Sequence, residues 1–207
     1  MLMDNPPHPH DLLWGLAPEQ LPADAPSWAR QALAAGQPVV VRRALCEPGL
    51  VAVGIRGASR EQRLATLMPL AAIQRGISPH QLRPRTAGHW PALRALVEVA
   101  PLLEATGLPW GPTGSVGFEL ATGVPVLHAG SDLDLLLRTS GPFERPRARE
   151  LLALLERTRC RIDLQLETPS GAIALREWAG DSRRVLLKCA EGARLVDNPW
   201  QALEHAA

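Results

Sequence analysis

Residues 132–167 constrain this chain more than any other stretch: an extended run, a helix and a second extended run, with carboxylates on both extended pieces. The first run, Leu133–Arg138 (LDLLLR), opens with Asp132 and Asp134. Residues i and i+2 of a strand project from the same face, so these two carboxylates point the same way. The second run, Arg161–Glu167 (RIDLQLE), alternates throughout. Ile162, Leu164 and Leu166 occupy one face; Arg161, Asp163, Gln165 and Glu167 occupy the other. Between them, Pro146–Arg159 carries Leu151, Leu152, Leu154 and Leu155 on one side and arginines and glutamates on the other, the pattern of a half-buried helix. That helix is long enough to join two strands of one sheet. Pairing of those strands sets Asp163 beside Asp132 and Asp134.

The rest of the second half fits around this unit. Gly114-Ser115 starts a short helix through Thr122 that Gly123 closes. Pro169-Ser170-Gly171 turns into an extended segment over Ala172–Trp178, and residues 183–189 (RRVLLKC) add a further strand. This order suits a small mixed sheet with helices on one face. In the first half, Leu12, Leu13 and Trp14 anchor a Pro-rich lead-in, and a helix runs from Ser27 to about Ala35, stopped by Gly36. Pro38–Arg42 and Leu50–Arg56 read as strands. Ser59–Leu67 reads as a helix, because Ser59 and Gln62 stand in capping-box spacing. Pro69–Pro91 is irregular, Pro91–Leu103 is helical, and Thr106–Gly111 is a break. The expected class is therefore α+β. A small N-terminal α/β domain, 1–105, is followed by a domain of mixed sheet and helices, 106–207, with a ligand cleft expected between the halves.

Charge and cysteine content narrow the function classes. At 207 residues, 46% hydrophobic and 21% charged, the chain can bury a core, and a formal net charge of +1 argues against a nucleic-acid-coated protein. The first half is nevertheless rich in arginine. Nine lie between Arg42 and Arg94 against the two acids Glu47 and Glu61, whereas Lys188 is the sole lysine. A GC-rich genome accounts for such a bias, and so does phosphate binding by guanidinium forks. Cys46, Cys160 and Cys189 form neither a zinc pattern nor a disulfide framework, and neither a signal peptide nor a membrane span is visible, so a soluble cytoplasmic protein is expected.

Carboxylates crowded together repel one another unless a cation joins them. Mg²⁺ binds through one or two carboxylates and keeps its other positions for water and substrate phosphates. Asp132, Asp134 and Asp163 would hold two such ions, Mg²⁺ or Mn²⁺, one activating an attacking hydroxyl and the other gripping a departing pyrophosphate. Asp163 is the candidate base, or the ligand of the ion that does that work. The Gly114-Ser115 turn would bring backbone N–H groups to the phosphates; Ser115 also suits a plain helix N-cap. The segment lacks the Gly-x-Ser-x-Gly spacing of a hydrolase elbow and the chain lacks a Walker A motif. His128 reads as a surface residue or an assisting one.

Gly114-Ser115, Ser131-Asp132-Leu133-Asp134-Leu135 and the third acid Asp163 resemble the polymerase-β-type nucleotidyltransferase superfamily. The sixteen residues between Ser115 and Asp132 exceed its usual spacing. The whole string GPTGSVGFELATGVPVLHAGSDLDLLLR, with HDLLWG (His10–Gly15), PVVVRR (Pro38–Arg43) and VGIRGASREQR (Val53–Arg63), resembles the phosphoribosyl-dephospho-CoA transferases of malonate decarboxylase systems, the holo-acyl-carrier-protein synthases. The resemblance implies transfer of phosphoribosyl-dephospho-CoA from 2′-(5″-triphosphoribosyl)-3′-dephospho-CoA to a serine of the acyl-carrier subunit, with pyrophosphate leaving. Nucleic acid and membrane are not expected partners. It matches Asp132 and Asp134 to metal-binding acids and Gly114 and Ser115 to a triphosphate-binding turn; Asp163 follows from the superfamily pattern. Arg56, Arg60 and Arg63, at a strand end and one turn of the following helix, would then surround donor phosphates; the alternative leaves them solvated or paired with Glu47 and Glu61. A nucleotidyltransferase of other specificity, or an interaction domain without turnover, remains open on the motifs alone.

Overall fold

In the computed structural model of the chain, residues 6–59, 61–83 and 88–201 are described. The first half forms a five-stranded antiparallel sheet from β1 (Leu12–Trp14), β2 (Val39–Val41), β3 (Leu50–Arg56), β4 (Arg63–Pro69) and β5 (Arg75–Ile77), in the order β4-β3-β2-β1-β5. One face buries Leu13, Val39, Val41, Val53, Ile55 and Met68 under α1 (Ser27–Ala34), whose Ala29, Ala32 and Leu33 complete this core. The apolar cluster at Leu12–Trp14, expected to anchor the lead-in, does so as a strand between β2 and β5.

The helix expected over Ser59–Leu67 is absent. Residues 63–69 instead form β4, paired in register with β3 from Leu50↔Pro69 to Arg56↔Arg63. The Ser59/Gln62 spacing serves a turn. Gln62 Oε1 accepts the N–H groups of Ala58 at 2.8 Å and Ser59 at 3.3 Å, and Gly57 N–H donates to Gln62 O at 2.9 Å. A β-carbon on Gly57 would lie 2.6 Å from Gln62 Cβ, so only glycine fits this hairpin. Non-local pairing outweighs the local propensity of RLATLM.

The second half is a six-stranded mixed sheet of β6 (Trp110–Pro112), β7 (Leu133–Arg138), β8 (Ile162–Thr168), β9 (Gly171–Ala174), β10 (Val185–Cys189) and β11 (Gly192–Val196), in the order β11-β10-β9-β8-β7-β6. β7 and β8 are parallel and all other neighbours antiparallel. The helices are α2 (Pro91–Glu104), α3 (Gly114–Thr122), α4 (Arg145–Leu155) and α5 (Leu175–Ala179). Leu133, Leu135 and Leu137 of β7 and Ile162, Leu164 and Leu166 of β8 share one core with α2, α4 and α5. The α+β class and the mixed sheet agree with the sequence reading. Two details differ. Ala172–Trp178 is a strand only to Ala174, because LREWA turns helical and buries Leu175, Trp178 and Ala179. The break at Thr106–Gly111 leads into β6, which closes one edge of the sheet. Helix α2, on the N-terminal side of the boundary expected at 105, packs into the second core.

The two sheets are joined by a buried ion cluster. Glu167 on β8 accepts Arg43 Nη2 at 2.9 Å and Arg138 Nε at 2.8 Å, and Arg138 Nη2 also reaches Asp11, which is fully buried, at 3.5 Å. Arg43 and Asp11 belong to the first sheet's side, Arg138 and Glu167 to the second.

Candidate active site

The strand register builds the acid cluster. In the parallel pair β7–β8, Asp134 lies directly opposite Asp163, and Asp132 stands two residues before Asp134 on the same side. Carboxylate oxygens of Asp132, Asp134 and Asp163 come within 4.8 Å of one another, a set that can coordinate one metal ion. Leu133, Leu135 and Leu137 of β7 and Leu164 and Leu166 of β8 face the helices, so the acids emerge on the opposite face, toward the first sheet. Arg161 Nη2 contacts Asp163 Oδ2 at 3.1 Å from an exposed position.

The glycine-serine turn reaches the same place from β6. Thr113 N–H donates to Asp134 O at 2.9 Å, and the next residue, Gly114, opens α3 with φ +56°. A β-carbon on Gly114 would stand 2.9 Å from Asp134 Cγ and closer still to Oδ2, so the turn and the carboxylate can meet only with glycine there. Thr113, not Ser115, occupies the N-cap position. Ser115 Oγ instead accepts Arg56 Nη2 at 3.0 Å, which ties the first sheet to the start of α3. The start of α3 therefore lies between a carboxylate and a guanidinium.

Arg56 lies over the Phe118 ring, 5.4 Å from its centroid, and its buried Nε–H has no acceptor among the described residues. Burial, and then the neighbouring Arg63, lower its pKa below the ordinary guanidinium value. An unmatched buried N–H of this kind calls for an anionic acceptor. Arg63 stands opposite Arg56 at the β3–β4 end and also lines the cleft. It does so from a strand rather than from the expected helix. Arg60 lies outside the described residues. Three other arginines of the first half serve the fold: Arg43 binds Glu167, Arg75 stacks on Trp14, and Arg83 stacks on Trp110 and pairs with Glu104.

The cleft between the sheets encloses about 510 Å³, with Arg56, Gly114, Phe118 and Asp134 at one end and His10 and Arg42 among its other walls. His10 has φ +72°, the one positive value among described residues other than glycine. Burial pushes its imidazole pKa down; Arg43 and Arg138 add to this, while Glu167 and Asp11 oppose it. Gln165 lines the cleft two residues beyond Asp163. Alternation in RIDLQLE places Gln165 on the acid face, a signal present in the sequence; nothing local marks His10. His128 belongs to a tight turn, its Nδ1 accepting Gly130 N–H at 3.1 Å and its N–H donating to Ser131 Oγ at 3.1 Å.

Two family models cover nearly the whole chain: the phosphoribosyl-dephospho-CoA transferase MdcG N-terminal domain over residues 8–79 and the C-terminal domain over residues 65–199. The chain belongs to the phosphoribosyl-dephospho-CoA transferase family. Its similarity to curated members spans full lengths. A phosphoribosyl-dephospho-CoA transferase of Pseudomonas putida (strain W619) is 64% identical over 97% of this chain and 98% of its own. One of Azotobacter vinelandii is 55% identical over 94% and 95%. No solved structure matches significantly. In this member of the transferase family, Asp134 of the acid cluster and the glycine turn both line the cleft. No helix among the described residues is long and apolar enough to cross a membrane.

Proposed function

We propose that the protein transfers phosphoribosyl-dephospho-CoA from 2′-(5″-triphosphoribosyl)-3′-dephospho-CoA to a serine hydroxyl of the malonate decarboxylase acyl-carrier protein, releasing pyrophosphate. The carrying observation is the convergence of Asp132, Asp134 and Asp163, with oxygens within 4.8 Å, on the Gly114 turn. Membership of the transferase family supports the choice of donor and acceptor.

The three carboxylates would hold two divalent ions, Mg²⁺ or Mn²⁺, which when bound neutralise phosphate charge and lower the pKa of a nearby hydroxyl. The chain's own groups do the rest. The N–H groups at the start of α3 and the guanidinium of Arg56 line the place for the triphosphate, with Arg63 on the adjoining strand. Asp163 is the candidate acceptor of the serine proton as the hydroxyl oxygen bonds to the α-phosphorus and the bond to pyrophosphate breaks.

The test combines the protein, Mg²⁺, the triphosphoribosyl donor and the apo carrier, and weighs the carrier by mass spectrometry. The expected result is a mass gain equal to the prosthetic group, absent for a carrier whose acceptor serine is alanine. No gain overturns the reading.

A further inference from the structure

We infer that Arg42, with His10 on the adjoining strand end, forms a second anion-binding point in the cleft, which holds the 5′-diphosphate of the donor's dephospho-CoA portion. The inference rests on the donor proposed above and assigns residues to a part of it that the acid cluster does not reach.

Arg42 follows β2, and its N–H donates to Ala52 O at 2.8 Å. Among the described residues its guanidinium makes neither an ion pair nor a hydrogen bond, in contrast to Arg43 beside it. Its stem passes Gly54, whose missing side chain leaves the aliphatic part 3.4 Å from where a β-carbon would be. Arg42 thus extends a bare cation along the cleft wall. The same wall receives His10, whose N–H donates to Val41 O at 2.9 Å. The His10 ring also finds no hydrogen-bond partner among the described residues, although its backbone is held in a left-handed conformation that a non-glycine residue adopts at a cost. Two polar side chains without hydrogen-bond partners among the described residues share this part of the cavity.

Spacing connects this end to the donor. Ala52, beside Arg42, and Arg56 lie four residues apart on β3, so the backbones of Arg42 and Arg56 are about 13 Å apart along the strand. The Arg42 stem over Gly54 carries its guanidinium part of the way toward Arg56. Beside them the wall is Ala65, with Val40 and Leu12 alongside, a small and apolar stretch. The proposed donor has two anionic groups to match: a diphosphate on the 5′ carbon of the adenosine ribose, and a triphosphate on a second ribose joined to its 2′ position, so that two riboses lie between them. With the triphosphate at Gly114 and Arg56, the diphosphate falls toward Arg42. Beyond it, Arg42 is the one described residue lining both this cleft and a second groove of about 750 Å³, walled in part by Leu50, Val51, Leu70 and Pro9. That groove gives the pantetheine arm a path away from the adenosine.

Calorimetry with two simple probes tests this without turnover. Dephospho-CoA carries the diphosphate and lacks the triphosphate; tripolyphosphate with Mg²⁺ probes the other end. Arg42→Ala is expected to weaken dephospho-CoA about tenfold or more, as loss of a charge-assisted contact should, and to leave tripolyphosphate binding unchanged. Arg42→Lys should recover part of the loss. In turnover, Arg42→Ala should raise the donor KM while kcat holds. Wild-type affinity for dephospho-CoA in Arg42→Ala, equal loss of both probes, or no binding of dephospho-CoA to the wild type overturns the inference. Failure of the proposed transfer reaction would show separately, as an unmodified carrier.

Discussion

The α-carbon of Gly114 faces the Asp134 carboxylate so closely that no larger residue fits between them, and its φ of +56° independently favours glycine. Gly114→Ala should therefore displace the carboxylate as well as strain the turn. Transfer is expected to fall by about a hundredfold, the scale of a 1 Å misplacement at a reacting centre. Stability should fall by only about 1–2 kcal/mol, the cost of a left-handed alanine. Transfer kinetics beside urea unfolding separate the two, and wild-type turnover would detach the turn from the chemistry.

Crowded carboxylates predict a metal response. Adding Mg²⁺ should raise the melting temperature, since a ligand that binds only the folded state stabilises it. Asp134→Asn should abolish that rise, abolish transfer, and leave the metal-free protein at least as stable as the wild type by relieving repulsion. Chelation should stop the wild-type reaction. A melting temperature indifferent to Mg²⁺ would count against the cluster as a metal centre.

Arg56 connects Ser115 to the cleft and carries a buried N–H without an acceptor. Arg56→Ala should raise the donor KM about tenfold or more, the worth of a charge-assisted contact, with the fold intact by circular dichroism. Arg56→Lys should restore little, because an ammonium cannot bridge Ser115 and a phosphate as the planar fork does. Unchanged kinetics in both variants would remove Arg56 from the donor site.

Glu167 is the acid shared by Arg43 and Arg138, with its side chain only 10% exposed. Glu167→Ala leaves the Arg43 guanidinium unmatched and Arg138 with only its 3.5 Å contact to Asp11, and should cost about 3 kcal/mol in urea unfolding. Because the acid joins the two sheets, the variant should also unfold over a broader transition. Full stability would mean that other contacts hold the halves together.

His10 has a folded pKa below its ordinary 6.5, chiefly through burial. The unfolded chain then takes up the proton more readily than the folded one. Stability from this residue is present above pH 6.5 and is lost as pH falls from there through the folded pKa. His80, also lowered by burial, acts in the same direction. His10→Gln should flatten part of the acid-side decline in melting temperature, and an unaltered profile would rule His10 out.

Local pattern made much of the second half readable. Alternation in RIDLQLE gave both the strand and the face of Asp163, and Gly114 and Gly123 bracketed α3 correctly. The errors came where distant partners decide. The spacing of Ser59 and Gln62 suits a helix start as well as a hairpin, and only pairing with β3 selects the hairpin. Arg43 meets Glu167 across 124 residues, so its role as a structural ion pair had no local signature among nine arginines. Three-residue strands such as β5 and β6 are too short for a period to register.

The parallel register of β7 and β8 has an evolutionary implication. Sliding β8 by a single position would turn Asp163 toward the leucine core and dissolve the cluster, whereas sliding by two would keep its orientation but move it along the strand by nearly 7 Å. Relatives that keep this chemistry can therefore vary freely in the length of α4 and its loops only where the two strands still meet in step. An insertion there is either absorbed by the connection or fatal to the site.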